Sequence, residues 1–213
     1  MFPLGSVLFP AMPLPLRVFE ERYLLMLAEV IDAGAPEFGV VLIERGQEVG
    51  GGDIRFDVGT VARIADLEVT DELVALVGLG GRRFEVIEWG DDDPFPKADV
   101  RMLDELEWDE RQRELLDKAE RVVRSGLAVA SEYVELAWPA SVELADSPVD
   151  AAWQLAAVAP LGALDQVQLL RSTAIDELLT NVIALTATSL DSIRFSWTDA
   201  DPTDSDHDEE SQP

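Results

Sequence analysis

The hydrophobic pattern of this chain changes period near Asp104, from mostly about two to about 3.6, and that change limits the folds open to it. Before Asp104, apolar residues alternate in short runs broken mostly by Gly, Asp or Pro, as in half-buried strands. The runs cover residues 38–44, 58–65, 73–79, 82–89 and 97–103. After it, apolar residues recur every three to four positions, as on amphipathic helices. Strands followed by helices, instead of strands alternating with them, predict an α+β fold over a parallel βαβ sheet. Short antiparallel strands at this interval suggest a small, partly closed barrel.

One helix interrupts the strand-rich half. Phe19, Tyr23, Leu24, Leu27, Val30 and Ile31 share a face, and Gly34 is placed to stop the helix. Phe9, Phe19 and Tyr23 read as core. Gly78-Leu79-Gly80-Gly81 reads as a tight hairpin, and Gly50-Gly51-Gly52 as a flexible connection. In the helical half, Leu115, Ala119, Val122, Val123, Gly126, Ala130, Tyr133 and Val134 form a stripe that Pro139 ends. Ser147-Pro148-Val149-Asp150 supplies a capping serine, proline at the first helical position and an acid in the first turn. That helix stops at Pro160, a short one follows over 165–171, and a longer one begins near Thr173. The last carries Ile175, Leu178, Leu179, Val182, Ile183, Thr186, Leu190 and Ile193 on a broad stripe suited to a bundle. The expected division is a β-rich unit over 1–104, a helical unit over 105–198 and a disordered acidic tail over 199–213.

The residue types exclude several chemistries. The net charge is −27, with seven carboxylates and no Lys or Arg between residues 199 and 210. A body this acidic repels phosphate backbones and anionic bilayers, so neither nucleic acid nor membrane is an expected partner. Lysine occurs only at Lys97 and Lys118, and no Gly-rich loop ends in Gly-Lys-Ser/Thr, so a P-loop is absent. Cysteine is absent, and the sole histidine, His207, lies in the acidic tail. A Ser-His-Asp hydrolase and a Cys/His zinc site are therefore not expected. Asp91-Asp92-Asp93 is the densest internal acidic cluster and reads as a solvated loop between strands, not a metal site. The chain reads as non-enzymatic, without cofactor. With neither a signal peptide nor a run of ~18 apolar residues, it is expected to be cytoplasmic.

The opening stretch carries a family resemblance. Phe2-Pro3-Leu4, Val7-Leu8-Phe9-Pro10, Leu14-Pro15-Leu16-Arg17-Val18-Phe19-Glu20 and Arg22-Tyr23 follow in order. Gly39–Ile43, Val58–Ile64 and Gly80–Val86 continue the series, and Asp165-Gln166-Val167-Gln168-Leu169-Leu170 adds a helical segment. Together they resemble the Lon amino-terminal, substrate-binding domain over about residues 2 to 195. The resemblance implies a PUA-like antiparallel β-barrel subdomain followed by an α-helical bundle. It also implies recognition of apolar or unfolded polypeptide segments in protein quality control, with a protease served in trans. The sequence shows neither the ATPase nor the peptidase module of Lon protease, so it resembles a stand-alone member.

Two sets of residues are candidates for polypeptide contact. Phe38, Trp89, Phe95 and Trp108 fall in loops or at junctions, where aromatic side chains carry contact energy. Arg17, Arg22, Arg82 and Arg83 offer polar contacts, or else internal ion pairs with Glu20, Glu21 or Glu85. An acidic rim around an apolar groove favours basic, apolar clients. A small-molecule sensor is the alternative reading.

Overall fold

The computed structural model describes residues 1–45, 54–70 and 73–198. The Gly50-Gly51-Gly52 connection and the acidic tail lie outside the described residues. Among the described residues six strands form one mixed sheet: β1 (Phe2–Leu4), β2 (Pro13–Val18), β3 (Glu37–Arg45), β4 (Ile54–Val69), β5 (Val74–Trp89) and β6 (Ala98–Met102). Their order is β1-β3-β4-β5-β2, with β6 also on β5. Among the described residues only the β1–β3 ladder is parallel. No ladder among the described residues joins the two ends of this path, so the expected barrel is not closed. Among the described residues five α-helices accompany the sheet: α1 (Glu21–Asp32), α2 (Arg113–Ala130), α3 (Pro148–Val158), α4 (Ala163–Leu170) and α5 (Ile175–Thr198). The fold is α+β.

The main departure from expectation is β5. Residues 73–79 and 82–89 were expected to face each other across a hairpin, yet Val74–Trp89 is one continuous strand of 16 residues. Its glycines answer to close approach, not to a turn. A Cβ on Gly80 would lie 2.0 Å from the Phe9 carbonyl oxygen, because the N-terminal arm crosses the strand there. The arm is bonded at that point, Ala11 N–H to Gly80 O and Gly80 N–H to Met12 O, both 2.9 Å. Beside it, β5 sets Gly81 and Arg82 against the single residue Val61 of β4, a bulge that bends both long strands. So bent, β5 takes β2 along residues 74–79 and β6 along 84–89.

Helix signals are met where local chemistry decides them. Ser147 Oγ accepts from Asp150 N–H at the start of α3, and Gly34 adopts φ +72° just past α1. The Glu177 carboxylate accepts from Thr173 N–H (2.8 Å) and Oγ1 (3.0 Å) at the head of α5, which lowers its pKa. Helix α2 ends at Ala130, short of Pro139, and residues 135–147 are irregular.

Phe2 stacks on Tyr23 at 4.2 Å and meets Phe38 at 5.9 Å, joining β1, α1 and β3. Phe9 and Tyr23 are buried as expected, whereas Phe19 stands 60% exposed just ahead of α1. One buried cluster runs from these residues through Phe9 and Trp153 into α2, α3, α4 and α5. Trp153 bridges the two halves, with Phe9 at 6.1 Å and the Arg83 guanidinium 4.7 Å over its ring.

Candidate polypeptide-binding groove

The side chains singled out in the sequence do not converge on one surface. Phe38 and Phe95 are each 5% exposed, which corrects their reading as exposed contacts. Phe38 lies in β3 against Phe2, and Phe95 packs into the core below the Lys97 ammonium, 4.7 Å from its ring. Trp89 and Trp108 are half-buried, and each has a guanidinium over its ring. Arg55 covers Trp89 at 4.7 Å, and Arg113 covers Trp108 at 5.0 Å, while Trp108 Nε1 donates to Glu110. Arg22 pairs with Glu20 at 3.1 Å, as the ion-pair reading expected, while Glu85 pairs with Arg101. Arg17 and Arg82 are exposed and line separate cavities, Arg17 beside Asp66 and Glu68.

Arg83 lines the same cavity as Arg82, but it is buried and its guanidinium is bonded internally. It donates to the carbonyls of Leu170 (2.8 Å), Ser172 (2.6 Å) and Asp104 (2.7 Å). Burial pulls its pKa down, and the Asp104 charge opposes that.

The Asp91-Asp92-Asp93 loop is tied back to the sheet. Asp92 accepts two hydrogen bonds from Arg55, at 3.0 and 2.7 Å. These bonds hold its carboxyl below the usual range, with burial opposing. Because the folded pKa is depressed, the stabilisation is present above the unfolded pKa of ~3.9 and lost as pH falls through the lower folded value. Asp92→Asn should flatten the acid limb of a stability–pH curve by less than about 1 kcal/mol, since the pair is partly exposed. Equilibrium unfolding measured between neutral and acid pH checks this.

A different region carries a concavity lined mostly by apolar side chains. A groove of about 670 Å³ runs between the N-terminal arm, residues 134–138 and the C-terminal end of α3. Its floor is Leu8, Phe9, Met12, Leu127 and Val158, all buried. Pro13, Pro15 and Val134 stand exposed along it, with Leu136 and Trp138 half-buried. Among the described residues Glu135 is the one charged side chain in the lining.

Polar anchors hold both walls. Thr60 Oγ1 donates to Leu8 O (2.6 Å), and Gln154 Nε2 donates to Ala11 O (3.2 Å). Gln154 Oε1 in turn accepts from Ala145 N–H at 2.7 Å, and Ser189 Oγ donates to Pro160 O at 2.5 Å. Pro13 and Pro15 occupy the positions of β2 whose amides would face away from β5. No ladder bond is lost, and the outer edge has no donors there to accept an added strand. Apolar side chains, not main-chain pairing, are what this wall can bind.

The sequence reading missed this groove because its second wall comes from irregular chain. The apolar run Leu136-Ala137-Trp138 before Pro139, unused by any helix, was the available signal.

The family model of the ATP-dependent protease La (LON) substrate-binding domain matches residues 1–188. The chain belongs to the Lon substrate-binding domain family. A Lon protease from Cytophaga hutchinsonii is 30% identical over 141 residues, 65% of this chain and 17% of that protein. The chain thus spans a small part of the length of that relative. A Lon N-terminal domain protein from Xanthomonas campestris superposes with a TM-score of 0.62 at 26% identity, over 86% of this chain and 95% of that one. The N-terminal domain of a Mycobacterium avium complex Lon protease gives a TM-score of 0.57 at 16% identity, over 87% and 96% of the respective chains, a likeness of fold. Two residues of the N-terminal motif that carries the Lon resemblance, Leu8 and Phe9, lie in the floor of the groove. Among the described residues, no three His, Cys, Asp or Glu side chains cluster as for a metal ion, and no helix is long and apolar enough to cross a membrane.

Proposed function

We propose that this Lon-family domain is a non-catalytic module that holds apolar or unfolded polypeptide segments in the groove between its N-terminal arm and its helices. The supporting observation is the groove itself: a cavity of about 670 Å³ lined mostly by apolar side chains, with Glu135 the one charged side chain among the described residues. Two or three client side chains buried there contribute roughly 1.5–3 kcal/mol each. Association and ordering costs of several kcal/mol leave affinity in the range of hundreds of micromolar or weaker, on the order of 5 kcal/mol at most. Such binding suits transient sampling of many clients, for a protease acting in trans in cytoplasmic quality control. The β-rich part, 1–104, supplies the arm, and the helical part, 105–198, the opposite wall.

A fluorescent apolar peptide flanked by lysines should bind, and its glutamate-flanked counterpart should bind at least severalfold more weakly. Salt should narrow the gap. Val134→Asp should cost an apolar peptide with uncharged flanks about tenfold in affinity, because it replaces apolar groove surface with a carboxylate that must stay hydrated. Fluorescence anisotropy checks this, and unchanged affinity in that variant would remove the groove from the proposal. A photocrosslinker at Pro13 or Val134 should capture unfolded model proteins in preference to their folded forms.

A further inference from the structure

The two outer strands beside β5 treat their free edges in opposite ways. Strand β2 is blunted by Pro13 and Pro15, whereas β6, Ala98-Asp99-Val100-Arg101-Met102, contains no proline and is exposed along most of its length. Among the described residues β6 pairs only with β5. The phase of that ladder is set by its ends. Leu103 N–H donates to Arg83 O (2.9 Å) and Gly90 N–H donates to Lys97 O (2.8 Å), so residues 97, 99, 101 and 103 face β5. The amides and carbonyls of Ala98, Val100 and Met102 therefore point outward.

We propose that β6 pairs antiparallel with β6 of a second copy of this chain, across a two-fold axis through Val100. About that axis Ala98 opposes Met102, Asp99 opposes Arg101, and Val100 opposes its own symmetry mate. The outward groups of Ala98, Val100 and Met102 are the ones this register bonds. Asp99 and Arg101 fall on the non-hydrogen-bonded pairs, where facing side chains approach most closely. Charges that would guard an edge are thus self-complementary, an isologous contact in which each Asp99 meets the partner copy's cation. Arg101 already pairs with Glu85 and is largely exposed, and its guanidinium has donors left for a second carboxylate. On the other face, Val100 and Met102, 37% and 40% exposed, join into one apolar strip with their mates.

The contact is short and each copy carries −27, so the dimer is weak and is best observed where salt limits repulsion to about 8 Å. Sedimentation velocity of the full chain from micromolar to high-micromolar concentration, at physiological salt, should show the average mass rising from one chain toward two. Asp99→Arg and Arg101→Asp should each weaken self-association at least tenfold while leaving circular dichroism and Tm nearly unchanged. An equimolar mixture of the two, in which every Asp–Arg facing is restored, should associate as the wild type does. Hydrogen exchange of the wild type alone gives a second readout: the Val100 and Met102 amides should gain protection with concentration. A wild type that stays monomeric throughout, variants that associate as it does, or exchange at Val100 independent of concentration would each overturn the proposal.

Discussion

Arg83→Met should lower the folding stability of this domain by about 3–5 kcal/mol, on the order of 10 °C in Tm for a chain of this size. Methionine replaces much of the length of the arginine stem and none of its donors. The carbonyls of Leu170, Ser172 and Asp104 would then be left without their present partner. The ring of Trp153 would also lose its cation. These acceptors sit on both sides of the junction between sheet and helices, so cooperativity between the halves should weaken with stability. Arg83→Lys keeps the charge but not the planar fork, and should recover roughly half of the loss. Thermal and guanidinium unfolding measure both. A methionine variant as stable as the wild type would show that the strut is dispensable.

Gly80→Ala should be nearly as severe, roughly 3 kcal/mol or more, although it adds a single methyl group. The added Cβ would sit 2.0 Å from Phe9 O and 3.0 Å from Phe9 C, and both are backbone. No rotamer change relieves such a contact, so either the arm or β5 must move. Moving the arm breaks the Ala11–Gly80 and Gly80–Met12 bonds and displaces Phe9 and Met12 from the groove floor. Binding of the lysine-flanked apolar peptide should therefore fall while the helices remain folded by circular dichroism. Gly81→Ala is the matched control. Its nearest neighbour would be Val61 O at 3.4 Å, and the expected cost is within about 1 kcal/mol. Equal effects at the two glycines would mean that the crossing of the arm does not constrain the strand.

The two variants mark where sequence reading stopped. Alternation over 73–79 and 82–89 was legible as strand, but Gly78-Leu79-Gly80-Gly81 carries the same local signal whether it turns or stays straight. A hairpin glycine is required by its own backbone, and the glycine at position 80 by a chain segment some seventy residues away in sequence. Phe19 and Phe95 show the same limit from the other side. Helical spacing put Phe19 on the apolar face, yet α1 begins after it, leaving it exposed. Position in a Pro- and Asp-rich loop put Phe95 outside, yet that loop folds back over the sheet.

What the residues determined alone was whatever local chemistry decides: the change of period near Asp104, the caps at Ser147 and Gly34, the buried stripe of α5, and the N-terminal motif that marks the Lon family. Each depends on neighbours within a turn or two of chain, so spacing and side-chain type suffice to read it. Tertiary structure alone decided that the sheet stays open, that Arg83 is an internal strut, and that the arm, α3 and residues 134–138 enclose an apolar groove. Those features arise where segments distant in sequence meet, and a side chain's burial or exposure there depends on what the rest of the chain lays against it.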